Sequence, residues 1–194
     1  ELLWNEKYAG KILMFDNSRD AFGISQFLLG YDINTTDTAQ LDACAEVLLE
    51  QKPVLQQYVM DQVYDKMIEE NAWIAPYYAG DYLTMLENNE DLAFVVPEEG
   101  SNWFVDAMCI LKDAQNKEEA EAWINFICST ESSLKNMDYI WYASPNEEAL
   151  AEYPAYYEEL YEEALDEEIY EICIVGGCGP TRCGGLCERP QYRG

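Results

Sequence analysis

The residue whose chemistry asks most for an explanation is Asp106. It stands in Trp103-Phe104-Val105-Asp106-Ala107-Met108-Cys109-Ile110-Leu111, where every neighbour is apolar and no Lys or Arg lies within five residues on either side. A carboxylate buried in such a run without a partner is strongly destabilising, so it must be compensated, protonated or placed at an open edge. One reading makes Asp106 a strand-edge or turn residue. The other gives it a counter-charge that is a ligand. Aromatic residues suit the second reading: Trp103 and Phe104 adjoin the carboxylate, Tyr77-Tyr78 ends an apolar run just before Gly80, and Trp141-Tyr142 precedes Ser144-Pro145. An aromatic face attracts an organic cation by about 0.5–2 kcal/mol and also covers methylene chains. Carboxylates anchor ammonium groups through charge-assisted hydrogen bonds. Carboxylates at the ends with aromatic walls between them describe a site for a long, thin diamine.

The elements that must position these residues follow from the pattern of apolar runs. Ile12-Leu13-Met14-Phe15 reads as a buried strand, ended by Asp16-Asn17-Ser18 and followed by a helix that stops at Gly30. Asp37 to Gln51 reads as a helix with Leu41, Cys44, Ala45 and Leu48 on one face and Pro53 beyond its end. Val54–Met60 is expected to be a strand, and Asp61–Asn71 a helix with Asp61 as its N-cap. Further strands are expected at Ala72–Tyr77, Leu92–Val96 and Trp103–Leu111, with a helix at Gly80–Asn88 between the first two. Asn116 and Glu119 form a capping box for a helix whose buried face is Ala120, Trp123, Ile124 and Ile127. Alternation of this kind implies parallel strands with crossover helices, an α/β class in which ligands bind beyond the C-terminal ends of the strands.

Composition narrows the function classes. The 194 residues carry 38 acids against 11 bases, a formal charge of −27, which repels nucleic acid and anionic membrane surfaces. There is no histidine, which removes Ser-His-Asp and Cys-His nucleophile systems and His-based metal sites. No run approaches the roughly 18 apolar residues of a membrane span. Glu158, Glu159, Glu162, Glu163, Glu167 and Glu168 crowd one helix, with Tyr153, Tyr156, Tyr157, Leu160, Tyr161 and Leu165 on its docking side. That charge reads as a solvated face, since exposed charges are well screened. From Cys173 onward Cys173, Cys178, Cys183 and Cys187 sit among glycines, prolines and arginines, and the paired C-x2-C arrangement of a zinc site is absent. Metal binding, disulfides and a non-native tail from a shifted reading frame all fit. Cys44, Cys109 and Cys128 lie in apolar settings and read as core residues.

Several segments together resemble a known family. Trp4-Asn5 with Lys11-Ile12-Leu13, Asp16-Asn17-Ser18-Arg19-Asp20-Ala21-Phe22, Trp103-Phe104-Val105-Asp106 and Tyr142-Ala143-Ser144-Pro145-Asn146 are similar, in the same order, to the spermidine/putrescine-binding proteins of bacterial ABC importers. The resemblance runs to about Glu171 and excludes the cysteine tail. It implies a type II periplasmic-binding-protein fold of two α/β lobes closing on a polyamine. It also implies an extracytoplasmic location, permease subunits as partners, and neither catalysis nor a cofactor. Residues 1–100 would form the second lobe, 101–145 a crossover into part of the first, 146–172 an acidic helical segment and 173–194 the tail, with most of the first lobe preceding Glu1. Such a chain is expected to bind polyamine weakly or not at all by itself. By the same resemblance Asp106 grips an amine, Asp20 is a second acid, and Tyr142 is an aromatic or hydroxyl contact. Trp103 lies beside them, Phe104 and Tyr78 fall where members often carry tryptophan, and Asn17 falls where spermidine binders often carry aspartate. Three alternatives stand beside this reading. They are a ferric-iron receptor using Tyr77 and Tyr78, a glycosidase using Asp20 and Asp106, and an acidic interaction module.

Overall fold

The computed structural model describes residues 2–102 and 104–161. Trp103 and the cysteine tail with its neighbouring glutamates, from Glu162 on, lie outside the described residues, so their expected roles are not located. The chain divides after Asn102 into two compact units.

Unit 1 is built around β1 (Ile12–Phe15), all four of whose residues are buried. Helices α1 (Ser18–Leu29) and α2 (Thr38–Gln51) cross over to β2 (Leu55–Val59), which pairs with β1 in parallel. The amides of Gly10 and Asp16 point to β2, donating to the Val54 and Val59 carbonyls, whereas Leu13 donates to the Ile74 carbonyl on the opposite edge. Successive residues of β1 face opposite sides of the sheet. Leu13 packs with Val59, Val63 and Ala72, while Met14 packs with Ala21 of α1 and Leu48 of α2. The caps follow from residue type. The Asn17 side chain accepts from the Arg19 and Asp20 amides, Gly30 takes the left-handed conformation at φ 70° that closes α1, and Asp37 caps α2. Helices α3 (Gln62–Ile68) and α4 (Ala79–Leu86) complete the unit.

Unit 2 contains α5 (Lys117–Ile127), α6 (Thr130–Ile140) and α7 (Glu147–Tyr161). Its core is Leu134 and Met137 of α6 against Ala149 and Tyr153 of α7. Ser129 caps α6, and Trp141 ends it in the left-handed conformation at φ 56°.

Several expectations need correction. Ala72–Tyr77 contributes a single parallel bridge, Ile74 to Ile12, in place of a strand. Leu92–Val96 and residues 104–111 form no strand. A strand exists only where a neighbour pairs with its backbone, and an apolar run does not supply that neighbour. Asp106 is accordingly exposed, in a segment whose Leu111 is 81% exposed, so it is not the buried carboxylate its neighbours suggested. Asp61 and Asn116 stand at N-cap positions without a side-chain capping bond. Trp123 is 60% exposed, so α5 buries less of its expected face, with Ala120, Ile124 and Ile127 only partly covered. Cys44 is buried, but Cys109 and Cys128 are exposed.

Candidate functional site

The parallel sheet of unit 1 sets the geometry of the first group. β1 ends at Phe15, and the next residues turn into α1, whose first turn carries Asp20. The chain beyond the Ile74 bridge runs in the same direction and delivers Tyr77 and Tyr78 to the same edge, where Tyr78 opens α4. Asp20 and Tyr78, 58 residues apart, meet there: the Tyr78 hydroxyl donates to Asp20 Oδ2 at 2.8 Å. The Asn17 side chain is spent on the first amides of α1, at 3.0 Å to Arg19 N and 3.5 Å to Asp20 N. It therefore orients Asp20 by fixing the helix start.

Three rings cluster beside this hydrogen bond, Phe15 and Tyr77 stacked and Tyr78 tilted against both. Phe15 and Tyr78 have centroids 5.3 Å apart, Tyr77 and Tyr78 5.2 Å, and Phe15 and Tyr77 6.2 Å. The Tyr77 phenol is pushed up to about 12 by burial first and then by the charges of Asp81 and Asp61. Burial, followed by the Asp61 charge, also raises the Asp81 carboxyl above its ordinary 3.8. Phe15, Asp61 and Asp81 thus join the group although sequence reasoning did not select them. One signal was available: Tyr78 and Asp81 hold the same positions at the start of α4 as Asn17 and Asp20 at the start of α1.

The Asp81 shift has a measurable consequence. A carboxyl raised in the folded state holds its proton more tightly there than in the unfolded chain. Its contribution to stability is therefore fullest at low pH and is lost as pH rises from 3.8 through the raised value. Asp81→Asn is expected to raise Tm at pH 7, with a difference that shrinks toward zero below pH 3.8. Thermal melts of both proteins across that range check it, and a lower Tm for the variant at pH 7 contradicts it.

The second group lies in unit 2. The Phe104 and Tyr142 rings have centroids 6.1 Å apart at an interplanar angle of 57°, with Asp106 two residues beyond Phe104. Tyr142 follows the left-handed turn at Trp141. The Asn146 side chain accepts from the Ala149 amide and donates to the Cys128 carbonyl. The structure thus brings together Asn17, Asp20 and Tyr78 in one unit and Phe104 with Tyr142 in the other. Among the described residues no cluster of three or more Cys, Asp or Glu side chains could hold a metal ion. No helix there is long and apolar enough to cross a membrane.

Comparison with known proteins matches residues 1–159 to a model described as bacterial extracellular solute-binding protein. The chain is 28% identical over 144 residues to the spermidine/putrescine-binding periplasmic protein of Salmonella typhimurium, covering 74% of this chain and 41% of that protein. It is 24% identical over 145 residues to a putrescine-binding periplasmic protein of Escherichia coli, covering 71% and 39%. Among solved structures, a putative spermidine/putrescine ABC transporter from Listeria monocytogenes superposes with a TM-score of 0.73 at 33% identity, covering 87% of this chain and 50% of that one. A spermidine/putrescine ABC transporter substrate-binding protein from Streptococcus pneumoniae gives 0.60 at 33% identity, covering 87% and 49%. The α/β fold is that of the substrate-binding proteins. The chain spans about 41% of the length of the curated relatives it matches.

Proposed function

Since the chain belongs to the family of bacterial extracellular solute-binding proteins, we propose that it serves to capture polyamines of the putrescine and spermidine kind outside the cell membrane and to deliver them to the permease of an ABC importer, without catalysis. The observation that carries this reading is the Tyr78–Asp20 hydrogen bond beside the clustered rings of Phe15, Tyr77 and Tyr78. The tyrosine engages Oδ2 and holds the carboxylate in place, which leaves Oδ1 for an ammonium group. The rings supply faces for the ammonium and cover for the methylenes that follow it. Asp61 and Asp81 add negative potential at the same edge, and a bound cation relieves their mutual repulsion. In unit 2, Asp106 with Phe104 and Tyr142 offers the same combination of carboxylate and aromatic rings. Trp103 is assigned to this second group by its place in the sequence. The names of the relatives support the choice of ligand, the location and the importer.

A thermal-shift series tests the proposal. Anything that binds the folded state alone raises Tm by mass action, even when binding is weak. Of the two expectations for this chain alone, weak binding and none, the reading requires the first: putrescine and spermidine raise Tm beyond sodium chloride of equal ionic strength. Equal shifts would reduce the protein to a generic polyanion and overturn the reading.

A further inference from the structure

The opposite edge of the unit 1 sheet carries a cavity of about 250 Å³ lined by Met67, Glu70, Ala72, Trp73, Asn89, Asp91 and Leu92. Its separation from Asp20 and Tyr78 follows from the strand direction. The Trp73 amide donates to the carbonyl of Lys11, the residue before β1, whereas the Tyr78 ring lies against Phe15 at the end of β1. Both α3 and α4 begin at the C-terminal edge and run back, so their last turns converge on this cavity. The Asn89 side chain ties them, donating to the Ile68 carbonyl at 3.1 Å and accepting from the Asp91 amide at 3.0 Å.

Apart from the Lys11 ammonium beside it, the charged and dipolar groups around this cavity favour a cation. Helix C-termini present carbonyl oxygens and the negative end of the backbone dipoles. Glu70 and Asp91 add two carboxylates, and neither has an ion-pair partner among the described residues. Trp73 is 58% exposed, so part of its indole is open to a ligand. The surroundings already hold one ammonium: Lys11 Nζ stands 5.1 Å from the Trp73 ring centre and donates to the Glu70 and Asn71 carbonyls at 3.4 and 3.2 Å. Lys11 itself is not part of the cavity lining. Met67 and Leu92 supply apolar walls for a short alkyl chain.

We propose that this cavity is a second binding site, for a small aliphatic ammonium, with Trp73 as its wall and Glu70 and Asp91 as its anchors. Its volume lies below the range of pockets for drug-sized ligands and suits a primary amine with a few methylenes. The site shares no residue with the Asp20–Tyr78 group, so it stands or falls separately from the function proposed above.

The test follows the Trp73 indole N–H signal by NMR, assigned with Trp73→Phe, while butylammonium chloride is added to the full chain. A saturable shift is expected that sodium chloride does not reproduce. Glu70→Gln with Asp91→Asn is expected to raise the apparent Kd by at least about tenfold, from loss of two charge-assisted contacts. Asp91→Lys, which brings its own ammonium to the cavity, is expected to abolish the response. Both positions are exposed, so the fold is retained. A shift no larger than that with sodium chloride would overturn the proposal. So would an affinity unchanged in either variant.

Discussion

Replacing Asp20 by asparagine is expected to weaken putrescine binding by at least about thirtyfold, roughly 2 kcal/mol, the scale of a lost charge-assisted hydrogen bond. The substitution is nearly isosteric. An asparagine there still accepts from the Tyr78 hydroxyl, and the capping bonds from Asn17 to the first amides of α1 do not involve the Asp20 side chain. What disappears is the charge. Tyr78→Phe removes the bond that orients the carboxylate and keeps both charge and ring, so its effect is expected to be smaller, about threefold to tenfold. The order of the two variants is as informative as their size. NMR titration of the aromatic signals at Phe15 and Tyr77 measures both, including at millimolar affinity. If Asp20→Asn binds like the parent protein, Asp20 is not the anchor.

The second large effect concerns stability. Leu13→Ala is expected to destabilise unit 1 by roughly 2–5 kcal/mol, the range for truncating a fully buried leucine. Leu13 has no exposed surface and joins Val59 of β2, Val63 of α3 and Ala72 in one cluster. A cavity there loosens the two strands that hold Phe15 and Asp61 at the candidate site. The cluster of Leu134, Met137, Ala149 and Tyr153 is separate, so α6 and α7 are expected to keep their hydrogen-exchange protection. Urea unfolding measures the loss, and a change below about 1 kcal/mol would mean that the Leu13 site collapses or was never closely packed.

What the sequence made legible was local. Asn17 and Gly30 bracket α1, and Asp37 and Pro53 bracket α2, because capping and helix-breaking act within a few residues. The strand at Ile12–Phe15 was legible because a short apolar run between turn residues has few other uses. Residues 104–111 show where that logic ends. Their apolar character is real, but pairing depends on a neighbour that periodicity cannot name, and Asp106 is exposed as a result. Trp123 on α5 is a similar case, since the helix was readable and what covers its face was not. At the candidate site, Asp20 and Tyr78 were named by family resemblance, whereas their hydrogen bond across 58 residues came from the fold. Asp61 and Asp81 escaped notice because their coupling to Tyr77 exists only once three separate helix starts meet at one sheet edge.

The formal charge of −27 carries little of the functional argument, because most of it lies on screened surfaces. That makes a site-resolved measurement more decisive than any bulk affinity for cations. Such a measurement is an NMR titration of the full chain with putrescine against sodium chloride of equal ionic strength, followed at every assigned residue. The account predicts saturable shifts at Phe15, Asp20, Tyr77, Tyr78 and Asp81 that putrescine produces and sodium chloride does not. Signals at these residues that stay in place, with changes spread only along the glutamates of α7, would contradict it.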